Sequence, residues 1–144
     1  MTITSQPLTD DLHISGLPTL HMDVRTNTCN GGQLFVTMLD GTTGLRLGHA
    51  TMDVRYRDGG YESQPTSPLT NYRMLMEFNP MDVIVPKGHT IQLLITESGE
   101  DYLPSPCAAA GMTIFAGYQV LTLPNLERPF DHENWFNVPN WWDE

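Results

Sequence analysis

The dominant signal in this sequence is an alternation of apolar and polar residues with a period of two, with almost no spacing of three or four. A chain in β conformation points successive side chains to opposite faces, so this period lets a strand bury one face of a sheet. An amphipathic helix needs a period of about 3.6. In Leu20-His21-Met22-Asp23-Val24-Arg25 the apolar residues fall on one side, predicting a half-buried strand that ends near Thr26-Asn27. Gln33 to Leu39 is apolar on both faces and reads as a central strand, and Cys29-Asn30-Gly31-Gly32 before it offers the left-handed backbone of a tight hairpin. A third strand is expected from about Leu45 to Arg57, with Ala50, Met52, Val54 and Tyr56 on one face and a bulge or bend at Gly48.

Residues 58–70 hold Gly59, Gly60, Pro65 and Pro68 and are long enough to cross between sheets or to form a functional loop. Strands resume over Tyr72 to Phe78, Val83 to Val85 and His89 to Glu97. Pro86 and Gly88 sit at the second and fourth positions of an expected type I turn. Two short strands are expected near Met112 to Ala116 and Tyr118 to Leu123. About eight or nine short strands with turn signals between them predict an all-β chain. The expected architecture is an antiparallel β-sandwich, with jelly roll the favoured topology.

A chain of 144 residues suffices for one domain. Seven Lys plus Arg against 17 Asp plus Glu give a formal charge of −10, a field that repels phosphate backbones and anionic lipid headgroups. Nucleic acid is therefore not an expected partner. The uncharged stretch from Tyr102 to Leu126 is broken by Pro104, Pro106, Gly111, Gly117 and Pro124, so no membrane span of about 20 apolar residues is expected. The N-terminus has neither a basic start nor an apolar run, which reads as a soluble chain without a secretory signal here and favours the cytoplasm; a signal further upstream stays open. Cys29 and Cys107 are too few for a disulfide scaffold and read as buried free thiols, with one bridge between distant strands as the alternative.

Motifs for the commonest chemistries are missing from the sequence: no Gly-x-Ser-x-Gly elbow, phosphate-binding Gly-rich loop, Cys-x-x-Cys or His-Glu-x-x-His occurs. His13, His21, His49, His89 and His132 are scattered and read as structural or surface residues. His89, at the start of a strand, is expected to tie down a neighbouring backbone carbonyl. No catalytic residue, metal site or cofactor is expected, and a structural calcium stays open although no EF-hand-like spacing is present. Met22, Met38, Met52, Met74, Met76 and Met112 fall at or beside inward strand positions and read as core.

Residues 127–144 differ in kind from the domain expected over residues 1–126. They hold Phe130, Trp135, Phe136, Trp141 and Trp142 among acidic residues, and all three tryptophans of the chain lie in its last ten residues. Such an aromatic, acidic tail could close the sandwich, enter a partner, or present flat rings to a sugar. Tyr61, Trp135, Trp141 and Trp142 are accordingly the candidate ligand or interface residues.

Four segments in order carry a family likeness: Ile14 to Met22, Leu34 to Asp40, Arg46 to Ala50 leading into Asp53 to Arg57, and Val85-Pro86-Lys87-Gly88-His89-Thr90-Ile91-Gln92-Leu93. Together they resemble the C-terminal domain of X-Pro dipeptidyl-peptidases and of the related cocaine esterases and α-amino acid ester hydrolases, over about residues 10–126. The structural motif positions are Gly16, Pro18, Pro86, Gly88 and His89. The resemblance implies a galactose-binding-like jelly roll that packs against an α/β-hydrolase domain, with the catalytic Ser, Asp and His in that other domain. It implies no catalytic residue here. The expected role is a non-catalytic accessory domain whose partners are a hydrolase domain or a second copy of itself. The alternative is a free-standing carbohydrate-binding module using surface aromatics.

Overall fold

The computed structural model describes residues 1–27, 30–59, 61–99, 107, 111–115 and 119–126. Among them are eleven strands and one short 3-10 turn, and every strand pairing is antiparallel. The strands are β1 (Thr2–Thr4), β2 (Leu12–Gly16), β3 (Thr19–Thr26), β4 (Gln33–Asp40), β5 (Arg46–Asp53), β6 (Asn71–Glu77), β7 (Met81–Val85), β8 (Ile91–Thr96), β9 (Met112–Ile114), β10 (Val120–Thr122) and β11 (Asn125–Leu126). One layer has the order β1-β8-β4-β5. Facing it are two short sheets, β10-β3-β6, with β9 also on β3, and β11-β2-β7. The all-β sandwich expected from the alternation is thus observed.

The two short sheets form one layer interrupted at a single level, because proline cannot donate to a ladder. Pro18 separates β2 from β3, Pro80 separates β6 from β7, and Pro124 separates β10 from β11. The break is bridged by the carbonyls that remain: Phe78 N–H donates to Pro18 O at 2.9 Å and Ser15 N–H to Pro124 O at 3.0 Å. Gly16, at φ +128°, permits the bend, and a Cβ there would lie 3.2 Å from the Pro124 ring. Leu17 and the buried Pro18 complete the Gly-x-Pro opening read from the sequence.

The core lies between the layers and consists of the inward positions of the alternation. Leu20, Met22 and Val24 of β3 and Met74 and Met76 of β6 meet Leu34, Val36 and Met38 of β4 and Ile91, Leu93 and Ile95 of β8. Met22, Met38, Met74 and Met76 are fully enclosed, whereas Met52 and Met112 are half-buried at its margin. Opposite Gly48 the β4–β5 register shifts so that Met38 pairs with Gly48 and Leu39 with Arg46, which leaves Leu47 as the extra residue of a bulge. The irregularity expected at Gly48 is present.

Four local expectations change. β3 and β4 lie in different sheets, so the chain crosses between layers from Thr26 to Gln33 and makes no hairpin there. Gly31 and Gly32 instead permit close packing, since a Cβ on Gly31 would lie 2.9 Å from Arg55 Nε and one on Gly32 would lie 2.5 Å from Met112 Sδ. The third strand stops at Asp53, whose Oδ1 accepts the Arg55 N–H at 2.9 Å and turns Val54–Tyr56 into a 3-10 turn. The turn before β8 runs from Pro86 to His89, closed by His89 N–H to Pro86 O at 3.1 Å, with Gly88 third at φ +82°. A positive φ there is the requirement of a type II turn, not type I. Cys107 is disulfide-bonded, which overturns the free-thiol reading for it; its sulfur lies 3.6 Å from Asn30 O, and Cys29 lies outside the described residues. The long connection over residues 58–70 does cross between layers, and it is stitched down at Thr66, whose Oγ1 accepts the Gly31 N–H and whose N–H donates to Asn30 Oδ1, each at 2.8 Å.

Candidate functional site

Asp40, at the end of one of the sequence segments singled out above, and His89, in the middle of another, are joined by the fold. His89 Nδ1 lies 2.7 Å from Asp40 Oδ2, while Asp40 Oδ1 accepts the backbone N–H groups of Thr42 at 2.9 Å and Thr43 at 3.2 Å. The hydrogen bond from His89, seconded by those two amides, holds the Asp40 carboxyl below its ordinary range against the opposing effect of burial. His89 therefore grips a carboxylate, where a backbone carbonyl was expected. Gly88 N–H and Leu8 N–H add bonds to Leu8 O and His89 O at 2.9 and 2.8 Å, so the turn is clamped from both sides. With both Asp40 oxygens engaged, this cluster anchors the β7–β8 turn to the end of β4. Its chemistry is structural. The same holds for Asp53 and Arg55, whose two-point ion pair at 3.1 and 2.7 Å raises the guanidinium pKa, and for His13, paired with Asp82 across β2 and β7.

A surface of a different kind lies on the outer face of β8-β4-β5. Direct pairing lines up Leu94, Thr37 and His49 in one row and Thr96, Phe35 and Thr51 in the next. The first row together with Thr96 and Phe35 of the second, closed at one end by Ser98 and Gly99, lines a hollow of about 490 Å3. Phe35 is its floor. Although it faces away from the core, it is only 5% exposed, because Gly99 lies so close that a Cβ there would come within 2.6 Å of the ring. Leu94 remains 38% exposed. An outward sheet face carrying a covered phenylalanine and an open leucine has the mixed character of a contact surface. Nothing in the sequence marks this hollow except that Gln33 to Leu39 is apolar on both faces.

The aromatic candidates are not brought together. Tyr61 stands fully exposed in the 58–70 connection, and Trp135, Trp141 and Trp142 lie outside the described residues. Among the described residues no group of three His, Cys, Asp or Glu side chains is placed to hold a metal ion. No helix among them is long and apolar enough to cross a membrane.

A two-layer antiparallel sandwich in which the Asp40–His89, Asp53–Arg55 and His13–Asp82 pairs tie its own elements together is a scaffold type of domain. The family model of the X-Pro dipeptidyl-peptidase C-terminal non-catalytic domain matches residues 1–108, and the chain belongs to that family. No curated protein matches the sequence. Among solved structures, the chain is similar to an α-amino acid ester hydrolase, with 17% identity, a TM-score of 0.68, and coverage of 87% of this chain and 25% of that one. It is also similar to a CocE/NonD family hydrolase from Staphylococcus aureus, with 13% identity, a TM-score of 0.68, and coverage of 88% and 30%. An aminopeptidase from a marine sediment Thaumarchaeota archaeon matches with 17% identity and a TM-score of 0.59, over 69% of this chain and 18% of that one. The chain thus spans less than a third of the length of these structures. They share its fold and carry it as one part of a longer hydrolase chain.

Proposed function

We propose that this domain docks against an α/β-hydrolase domain and contributes contact area and a wall of that domain's substrate pocket, leaving bond cleavage to its partner. The observation that carries this is the match of a non-catalytic domain family over residues 1–108. The fold-level likeness supports it, since each hydrolase above devotes most of its chain to something else. The surface best suited to the contact is the hollow over Phe35 and Leu94. Its rows come from three adjacent, directly paired strands, which pre-organises it and lowers the entropic cost of association.

The test is co-expression with an α/β-hydrolase domain of this family, taken from the reading frame next to the coding sequence where that frame encodes one. The two should co-purify, and Leu94→Arg should break the complex without unfolding the domain. The isolated chain should cleave neither a p-nitrophenyl ester nor an X-Pro anilide. Turnover by the isolated chain that vanishes on replacing one side chain would overturn the proposal, as would a correctly folded partner that ignores the domain.

A further inference from the structure

Among the described residues the sandwich is open along one side. Where β1, the edge of one layer, faces β10, the edge of the other, lies an apolar groove of about 260 Å3 lined by Ile3, Leu8, Leu12, Leu93, Leu121 and Leu123. Five of these six pack on the core and are still only half-buried. Burying such aliphatic surface is favourable by roughly 25 cal/mol per Å2, so a segment able to cover it gains by doing so.

Three observations point to the occupant. The first is direction: β11 runs antiparallel to β2 with Asn125 opposite Ile14 and Leu126 opposite His13, so the chain leaves the described fold heading toward Leu12, a wall of the groove. At roughly 3.3 Å per residue, Phe130 and Trp135 come well within reach of the groove. The second is composition, for residues 127–144 carry Phe130, Trp135, Phe136, Trp141 and Trp142. The third is polar. Asn125 Oδ1 is buried without a hydrogen-bond partner, on the strand face that also carries Leu12. A buried acceptor left unpaired is costly, and an indole N–H is a donor with no acceptor role of its own.

We infer that residues 127–144 fold back onto the same chain and seat an aromatic side chain in the groove between β1 and β10, closing the open side of the sandwich. This stands apart from docking on a hydrolase, which uses another face.

Every tryptophan of the chain lies in 127–144, so intrinsic tryptophan fluorescence reports on this segment alone. The full chain should emit to the blue of its denatured form, be quenched several-fold less by acrylamide, and keep both properties on dilution. Leu8→Asp, on the groove rim, should shift emission to the red, while Leu75→Asp, on the outer face of β6, should not. As a second route that does not depend on a rim variant folding, a chain stopped after Leu126 should bind a hydrophobic dye several-fold more than the full chain and lose the excess when peptide 127–144 is added. Emission of the native chain as red as that of the denatured one would overturn the inference. A blue shift that disappears on dilution would also overturn it, since it would place the segment on a second copy.

Discussion

Met74 offers the sharpest test of how this core is held together. It is fully buried on β6, directly opposite Met22 of β3 in the register. Met74→Ala removes the thioether and leaves a cavity, and such truncations cost about 2–5 kcal/mol depending on how far the site collapses. Here the neighbours are soft: Met22 lies across the ladder and Met76 two residues on, and unbranched methionines can swing into a gap. The cost should therefore fall in the lower half of that range, about 2–3 kcal/mol, which for a chain of this size lowers Tm by roughly 5–10 °C. Met74→Leu, which nearly conserves volume, should cost less than about 1.5 kcal/mol. Calorimetry on both variants, with Met22→Ala and the double variant, gives the answer. Because the two cavities share a wall, the double variant should depart from additivity by about 0.5 kcal/mol or more. A Tm drop for Met74→Ala below about 2 °C, or strict additivity, would refute the picture of a packed core with mutually adjusting methionines.

Asp40→Asn should destabilise the domain at neutral pH and progressively less in acid. The folded carboxyl titrates below its usual value of 3.8, so its contribution is present above that pH and lost as pH falls through the folded value; Tm curves of the two proteins against pH should converge there. Alkylation of the denatured, unreduced chain should label no thiol, and Cys107→Ser should cost up to about 4.5 kcal/mol in chemical denaturation, the entropic estimate for a closed loop of roughly 80 residues, the separation from Cys29, the one other cysteine of the sequence. Gly16→Ala should destabilise by about 1–3 kcal/mol, because a left-handed backbone and the Pro124 ring both oppose a Cβ. Leu69, exposed at φ +65°, predicts the opposite sign: Leu69→Gly should stabilise by roughly 0.5–1 kcal/mol in the same assay.

What the sequence made legible was whatever depends on neighbours along the chain. The inward faces of β3, β6 and β8 follow directly from alternation, and so do the enclosed methionines. What stayed hidden depends on partners far away. The Gly31-Gly32 pair looks like a hairpin locally, and only the arrival of Arg55 and Met112 shows that it serves close packing. β1 has three residues and gains its strand character from β8, roughly ninety positions away. His89 finds Asp40 across a separation of 49 residues, which no local pattern encodes, although both ends lay in segments singled out by resemblance. The hollow over Phe35 is formed by three strands whose adjacency is a fact of topology.

The first five residues have a protective duty that follows from their place on the edge of β8. Thr2 to Thr4 pair with Gln92 to Leu94, Met1 exchanges bonds with Ile95 at 2.9 and 2.8 Å, and Ser5 does the same with Ile91 through its N–H and its hydroxyl, both at 2.9 Å. The strand they cover, Ile91-Gln92-Leu93-Leu94-Ile95-Thr96, is aliphatic, uncharged and free of proline, the composition that stacks into cross-β fibrils when its backbone is left open. Loss of the pairing made by residues 1–5 would remove little of the core. It would nonetheless leave the aliphatic edge of β8 open to pairing with another chain.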